Sequence, residues 1–534
     1  MTPGSYAAPR RGAVAFPAIV AGVGLALSLP PWGIWILAFP SAGLLWWRLG
    51  GLRPRTRLWA GWLAGLGCYI PGLGWIRSFT VPGAIVLIVV ESLFIAVACL
   101  MVPAFSNLAR ALVFPAAMTL AEAVRMTWPF GGLPIGGVFL GQADGPLLGI
   151  ARLGGPLALT GAVYLGGVAV AALALAAWAA WPAWADVGLW GWHRGRGNHR
   201  HHAPKDITRL ATLGLAGSIA MVALVTAAVV GDHAPDGGPS LGAITTAAVQ
   251  GGGERGFRKS QIDPAVVLAA QQSATRRMQQ LDHGHAPQLV LWPEDVVSLD
   301  TAIDGTAEER SLSNLARSLH TTLVVGVTET VSSTAFRNEL VAWGPEGALV
   351  ARYEKVHRVP FGEYVPDRGF FQHLGNLSAV PLDAIPGTGT GLLPTPAAPL
   401  GAMVSYEVFY ADRGRPSVRA GAQLLIVPTN TSSYASAQVP TQEIAAARVQ
   451  AVEEGRDLLQ AAPTGYSAAF TNRGTLLERS ALGQQQVVFA ALSRRSGWTV
   501  YVRFGALPVL LLAGLSLVGG WAVAARWSKS EDGR

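Results

Sequence analysis

Gln288-Leu-Val-Leu-Trp-Pro-Glu294 decides the fold of the polar half of this chain. Its unbroken apolar run suits a strand buried on both faces rather than one with a wet side. Running into Trp-Pro, it puts Glu294 at a strand's C-terminal end, where α/β folds gather their sites. Burial beside Trp292 would raise that carboxyl toward the range of a general base. A capping or salt-bridging glutamate is the plainer alternative. Working outward, 243–250, 322–327, 339–343, 401–405 and 423–428 are further short apolar runs, and helical stretches at 264–281 and 308–318 separate several of them. Such alternation predicts an α/β domain over 232–504 with helices layered on sheets.

The rest of the chain is a different material. Of 534 residues 51% are hydrophobic and only 13% charged, which is too apolar for an ordinary soluble protein. Apolar runs at 12–30, 32–49, 59–76, 82–105, 111–128, 156–184, 209–231 and 505–526 are long enough to cross a ~30 Å hydrocarbon core as helices. The segment 131–155 is apolar but rich in Gly and Pro, as a re-entrant or interfacial stretch would be. The expected organisation is a bundle of about seven spans over 1–231, the α/β domain over 232–504, and a last span with a tail over 505–534.

The net charge of +8 does not point to nucleic acid. Residues 232–504 carry 22 Lys+Arg against 25 Asp+Glu, and the remainder 18 against 7. Basic residues flanking apolar spans report topology. With eight spans, Arg10 and Arg11, Arg48 to Arg57, Arg110, Arg194 to Arg209, and Arg526 with Lys529 all fall on one side. The termini are then cytoplasmic and the α/β domain extracytoplasmic, in a multi-pass protein of the cell membrane. Arg10-Arg11 is read as the flank of a retained signal anchor, and His193, His199, His201 and His202 as a solvated basic loop rather than a metal tract. Cys68 and Cys99 lie in apolar runs, so neither a disulfide framework nor a thiolate metal site is expected.

Two more stretches carry chemistry. Tyr353-Glu-Lys-Val-His-Arg-Val-Pro-Phe-Gly-Glu363-Tyr-Val-Pro366 holds Lys355, one of only four lysines against 36 arginines. An ammonium is a compact charge able to approach a developing oxyanion, where a guanidinium is a broad fork. A lysine paired with Glu363 on a surface loop is the alternative. Gly401-Ala-Met-Val-Ser-Tyr-Glu407 places Ser405 at a strand terminus, exposed as a nucleophile with the Tyr406 N–H as an oxyanion donor. A serine in that place is otherwise an ordinary turn residue.

Together, Trp-Pro-Glu, a lysine some 60 residues on, and a strand-end Ser-Tyr-Glu some 50 further resemble the Glu–Lys–Cys triad of the nitrilase, or carbon–nitrogen hydrolase, superfamily. With eight spans and the domain inserted before the last, nearly the whole chain resembles the apolipoprotein N-acyltransferases. Gln250-Gly251, Glu454-Gly-Arg456 and Pro463-Thr-Gly465 also fit. The resemblance implies an αββα sandwich. It implies Glu294 as general base, Lys355 as stabiliser of the tetrahedral intermediate, Glu363 orienting Lys355, position 405 as nucleophile, and Glu407 in support. It implies a membrane phospholipid as acyl donor and the α-amine of a lipoprotein's diacylglyceryl-cysteine as acceptor, with no metal or other cofactor.

The family nucleophile is cysteine, and residues 232–504 contain none. A serine hydroxyl is far less acidic than a thiol of pKa ~8.5, so Glu294 would have to take its proton during attack. Residues 428–434 also depart from the family's Asn-Asp-aromatic pattern. Two other roles fit the same residues: a non-catalytic anchor for a polyprenol-phosphate mannosyltransferase, and an amidase acting on a soluble substrate. Phe370 and Phe371, in 367–374, are placed either as a lid dipping into the membrane interface or as inward-packed loop aromatics.

Overall fold

Leu289–Leu291 is a three-residue strand inside one of two stacked sheets. It pairs in parallel with Ala243–Gln250 on one side and Thr322–Ser332 on the other. The computed structural model describes all residues except 1–10, 188–203, 257–260, 282–286, 374–376, 379 and 533–534. The first sheet runs Gln486–Ser493, Ala243–Gln250, Leu289–Leu291, Thr322–Ser332, Ala335–Trp343, Leu349–Glu354, with Val297–Leu299 and Asp383–Ala384 attached. The second runs Leu476–Arg479, Ala468–Phe470, Leu458–Ala461, Leu424–Pro428, Pro399–Ala402, Leu392–Pro394.

Period-two alternation explains the apolar runs. Leu289 and Leu291 enter the core between the sheets, with Leu340, Leu400, Leu424 and Ile426. Val290 and Trp292 point the other way, under the helices Pro264–Leu281 and Ala307–Leu319, against Ala274, Met278, Leu312 and Ala316. In the second sheet Leu424 and Ile426 face inward, while Leu425 and Val427 meet Ala445, Ala446 and Val449 of the helix Gln438–Glu454. Each such residue contributes roughly 1.5–3 kcal/mol by leaving water, which is why neither face of these strands carries a polar alternation. The layers are helix, sheet, sheet, helix, as expected. The strand expected over 401–405 stops earlier, at Ala402, and the chain then turns.

The outer helix Gln438–Glu454 is shared. Its core is continuous with that of the helical bundle, from Ala446 and Val452 through Phe409 to Leu140, Phe114 and Trp46. Gln438 donates to the Pro71 and Gly72 carbonyls (2.7 and 2.9 Å), orphaned at the end of the helix Pro54–Gly72. Gln442 accepts from Gly136 N–H (3.1 Å) and donates to Pro30 O (3.3 Å). The Gly- and Pro-rich stretch 131–155 therefore includes residues buried beneath the α/β domain rather than a further helix of span length.

The bundle helices are Arg11–Leu27, Ala38–Arg48, Pro54–Gly72, Val81–Met101, Asn107–Arg125, Ala151–Val187, Pro204–His233 and Leu507–Asp532. Among the described residues four stretches are long and apolar enough to cross a membrane: Val81–Met101, Leu148–Ala179, Ala211–His233 and Leu507–Ser528. The apolar run 32–49 resolves into a turn at Trp35–Leu37 and an 11-residue helix. Glu122 and Arg125, which interrupt the run 111–128, are buried as a pair (2.7 Å), and Arg125 also reaches Glu91 at 3.1 Å. Arg10 and the stretch from His193 to His202 lie outside the described residues.

Candidate active site

Glu294 follows its strand by three residues and is 3% exposed. The chain turns there through Asp295 at φ +61, and the turn lies flat on the neighbouring strand at Gly326. A Cβ at Gly326 would come within 2.4 Å of Pro293 O and 2.5 Å of Glu294 Cα, so only glycine permits that approach.

Lys355 leaves the strand Leu349–Glu354 and is 2% exposed. Its ammonium donates to Glu294 Oε1 at 2.9 Å and to Glu363 Oε1 at 2.8 Å. Asn338, on the adjacent strand, donates from Nδ2 to the same two oxygens at 2.9 and 3.1 Å. Glu363 Oε2 accepts from Val359 N–H at 2.8 Å, which fixes the loop carrying it. Two carboxylates thus share one ammonium, leaving the cluster one negative charge in excess. Burial pushes Glu294 up to about 7 against the pull of Lys355. Burial works against the charge on Lys355 too, but Glu294 and Glu363 overcome it and hold the proton well above the usual range. An added proton therefore goes to a carboxylate and never leaves the lysine. An ammonium has three N–H groups; two are taken here, which leaves one to donate elsewhere.

Ser405 begins a turn of 3-10 helix, Ser405–Phe409, at φ +50. A non-glycine residue rarely occupies that region, and such strain concentrates at functional sites. Its Oγ lies 3.2 Å from Thr429 Oγ1 and 3.5 Å from Glu443 Oε1. Glu407 holds this turn against the lysine loop. Fully buried, it accepts from Val404 N–H (2.8 Å), Val356 N–H (2.8 Å), His357 N–H (3.0 Å) and the Tyr353 hydroxyl (3.0 Å). Tyr406 and Tyr410 both donate to Gly132 O, at 3.2 and 2.8 Å, so the bundle's 128–137 loop backs the same turn.

All six residues singled out in the sequence, Glu294, Lys355, Glu363, Ser405, Tyr406 and Glu407, lie around this one region. Lys355 is not on a surface loop. Asn338, Thr429 and Glu443 were not foreseen, because no local motif marks them. Beside the loop that carries Glu363, Phe371 packs on Phe130, Phe361 and Phe370 at 5.0–6.1 Å between ring centres. Phe130, Phe361 and Phe370 remain about half exposed. Among the described residues there is no group of three or more His, Cys, Asp or Glu able to hold a metal ion.

The two-sheet sandwich is a carbon–nitrogen-hydrolase-type α/β domain, and its buried Glu–Lys–Glu cluster and the serine hydroxyl at the strained turn form the candidate site. Residues 246–497 match the carbon–nitrogen hydrolase family model, and 21–169 that of the apolipoprotein N-acyltransferase N-terminal domain. The apolipoprotein N-acyltransferase of Mycolicibacterium smegmatis is 30% identical over 94% of this chain and 84% of its own length. That of Azotobacter vinelandii is 28% identical over 95% of this chain and 94% of its own. An amidase of solved structure from Nesterenkonia sp. aligns with 51% of this chain and 97% of its own, at 19% identity and a TM-score of 0.36. The chain belongs to the apolipoprotein N-acyltransferase family.

Proposed function

We propose that this protein moves an acyl chain from a membrane phospholipid onto Ser405 and then to the α-amine of a lipoprotein's N-terminal diacylglyceryl-cysteine. The observation that carries the reading is the buried Glu294–Lys355–Glu363 cluster, in a chain similar to family members along nearly its whole length. Ser405 Oγ attacks the donor's ester carbonyl. The free N–H of Lys355 and the Tyr406 N–H receive the oxyanion, and collapse expels the lysophospholipid. The acceptor amine then attacks the ester, Glu294, raised to about 7, takes its proton, and as the amide forms the bond to Ser405 Oγ breaks and that oxygen regains a proton. Glu363 and Asn338 aim the lysine, and Glu407 keeps its loop and the serine turn in register. A covalent intermediate divides one hard transfer into two easier ones.

In this reading the chain crosses the membrane eight times, the second time through the turn Trp35–Leu37 and the helix Ala38–Arg48 taken together, both termini are cytoplasmic, and residues 232–504 lie outside. The half-exposed phenylalanines beside the Glu363 loop, the bundle loop behind the site and the shared core support a mouth that opens toward lipid. No observation favours an anchor for a mannosyltransferase. The test uses the purified full chain in micelles with an alkyne-tagged phospholipid and a synthetic diacylglyceryl lipopeptide. Tagged acyl on the peptide's α-amine, lost in Ser405→Ala, is the expected result. No transfer by the folded native chain, beside an active cysteine-bearing relative, would refute the reading.

A further inference from the structure

The serine's proton has nowhere obvious to go. Glu294 is committed to Lys355 and Asn338, and no hydrogen bond joins it to Ser405 among the described residues. A different carboxyl faces the serine. Glu443, on the helix Gln438–Glu454, is 2% exposed, and Thr429 donates a very short hydrogen bond to its Oε1. Its Oε2 has no partner among the described residues. The direct path from Ser405 Oγ to Glu443 is 3.5 Å, long for O–H···O, whereas the step to Thr429 Oγ1 is 3.2 Å. A threonine hydroxyl donates once and accepts at its lone pairs, so it can pass a proton along.

We propose that Glu443 is the base for the Ser405 hydroxyl, reached through Thr429. The inference rests on Ser405 being the nucleophile. As Oγ forms its bond to the donor's carbonyl carbon, its proton moves to Thr429 Oγ1, and the Thr429 proton moves to Glu443 Oε1. When the tetrahedral intermediate collapses, Glu443 returns its proton to Thr429, and Thr429 Oγ1 gives its own to the departing glycerol oxygen, which leaves as the free hydroxyl. Glu294 is then left to serve the incoming amine. Serine needs such a base because its hydroxyl, unlike a thiol, is scarcely ionised at neutral pH.

Burial pushes Glu443 up to about 8, with Glu294 raising it further and Thr429, Lys355 and Ser405 opposing; Tyr434 and Arg255 also feel its charge. Only its ionised form accepts a proton, so acylation rises with pH through about 8.

The experiment follows acylation of the full chain by tagged phospholipid without acceptor. Glu443→Gln and Thr429→Val are each made in the native chain and in Ser405→Cys. In the serine chain Glu443→Gln slows labelling about 10²–10³-fold and removes the rise through pH 8, and Thr429→Val slows it about tenfold or more. In the cysteine chain each loss is at least tenfold smaller, because a thiol needs no relay. Equal losses in both backgrounds, or an unchanged pH profile in Glu443→Gln, would overturn the proposal. If Glu443→Gln fails to fold, the Thr429→Val pair decides by the same comparison. Labelling that survives Ser405→Ala would instead refute the nucleophile itself.

Discussion

Replacing Glu407 by glutamine removes one charge and almost no volume, yet it should cripple the site. The carboxylate receives three backbone N–H groups and a phenol in full burial, with Val404 N–H on Oε2 and Val356 and His357 N–H on Oε1. An amide has one acceptor oxygen. Turned to keep the two donors from 356 and 357, it points its NH2 at the Val404 N–H. That leaves a buried donor unpaired, at about 1–3 kcal/mol, and weakens charge-assisted bonds of about 1.5–3 kcal/mol each. A net loss of about 3 kcal/mol lowers the apparent melting temperature by roughly 6–12 °C for a unit of this size. The functional loss is larger, because Val404 is the residue before Ser405. Freeing it lets Ser405, the proposed nucleophile, drift against Lys355, and ~1 Å of misplacement costs about 10²-fold. In the tagged-phospholipid assay Glu407→Gln should lower kcat about 10²-fold with KM for phospholipid within threefold. A folded Glu407→Gln chain within threefold of native kcat would refute the idea that this carboxylate sets the register of the site.

Three further outcomes are expected. Lys355→Met removes the proposed oxyanion donor and leaves two carboxylates without a countercharge, so acyl-enzyme labelling falls at least 10²–10³-fold; Lys355→Arg does not rescue it, since a planar fork cannot fill a point-charge site. Transfer from preformed acyl-enzyme to the lipopeptide falls as pH drops through about 7, where Glu294 gains the proton that blocks it as a base, and Glu294→Gln removes that limb; a native profile flat from pH 6 to 8 would contradict the role. Changing Phe370 and Phe371 together to serine raises KM for phospholipid in vesicles about tenfold while sparing hydrolysis of a soluble short-chain ester; equal effects on both would show a structural loop instead.

The sequence made the strand interiors legible because they are buried on both faces, so runs such as Leu289-Val-Leu291 and Leu424-Leu-Ile-Val427 read as continuous apolar segments. Glu294, Lys355 and Glu363 were legible through dense local motifs. The turn at Ser405 was only half legible. Apolar residues continue to Val404, but Glu407 takes the Val404 N–H that a longer ladder would have used. Asn338, Thr429 and Glu443 reach the site from partners 14 to 44 residues away, and nothing local marks a glutamate in an alanine-rich helix as buried. In the bundle, composition located the helices but hid the pairing of Arg125 with Glu91, 34 residues distant.

The helix Gln438–Glu454 has a consequence for anyone wishing to work with the catalytic half alone. One flank carries Glu443 to Ser405, and the other, through Gln438, Gln442 and its alanines, is bolted to helix ends in the bundle. Cutting the chain after residue 231 follows a border in composition, not in packing. The excised piece would present a greasy wall where a soluble enzyme has a wet one, and would aggregate through it. A soluble version would have to be repainted along that helix with polar residues, leaving Glu443 alone. The bundle is thus one helix away from Ser405.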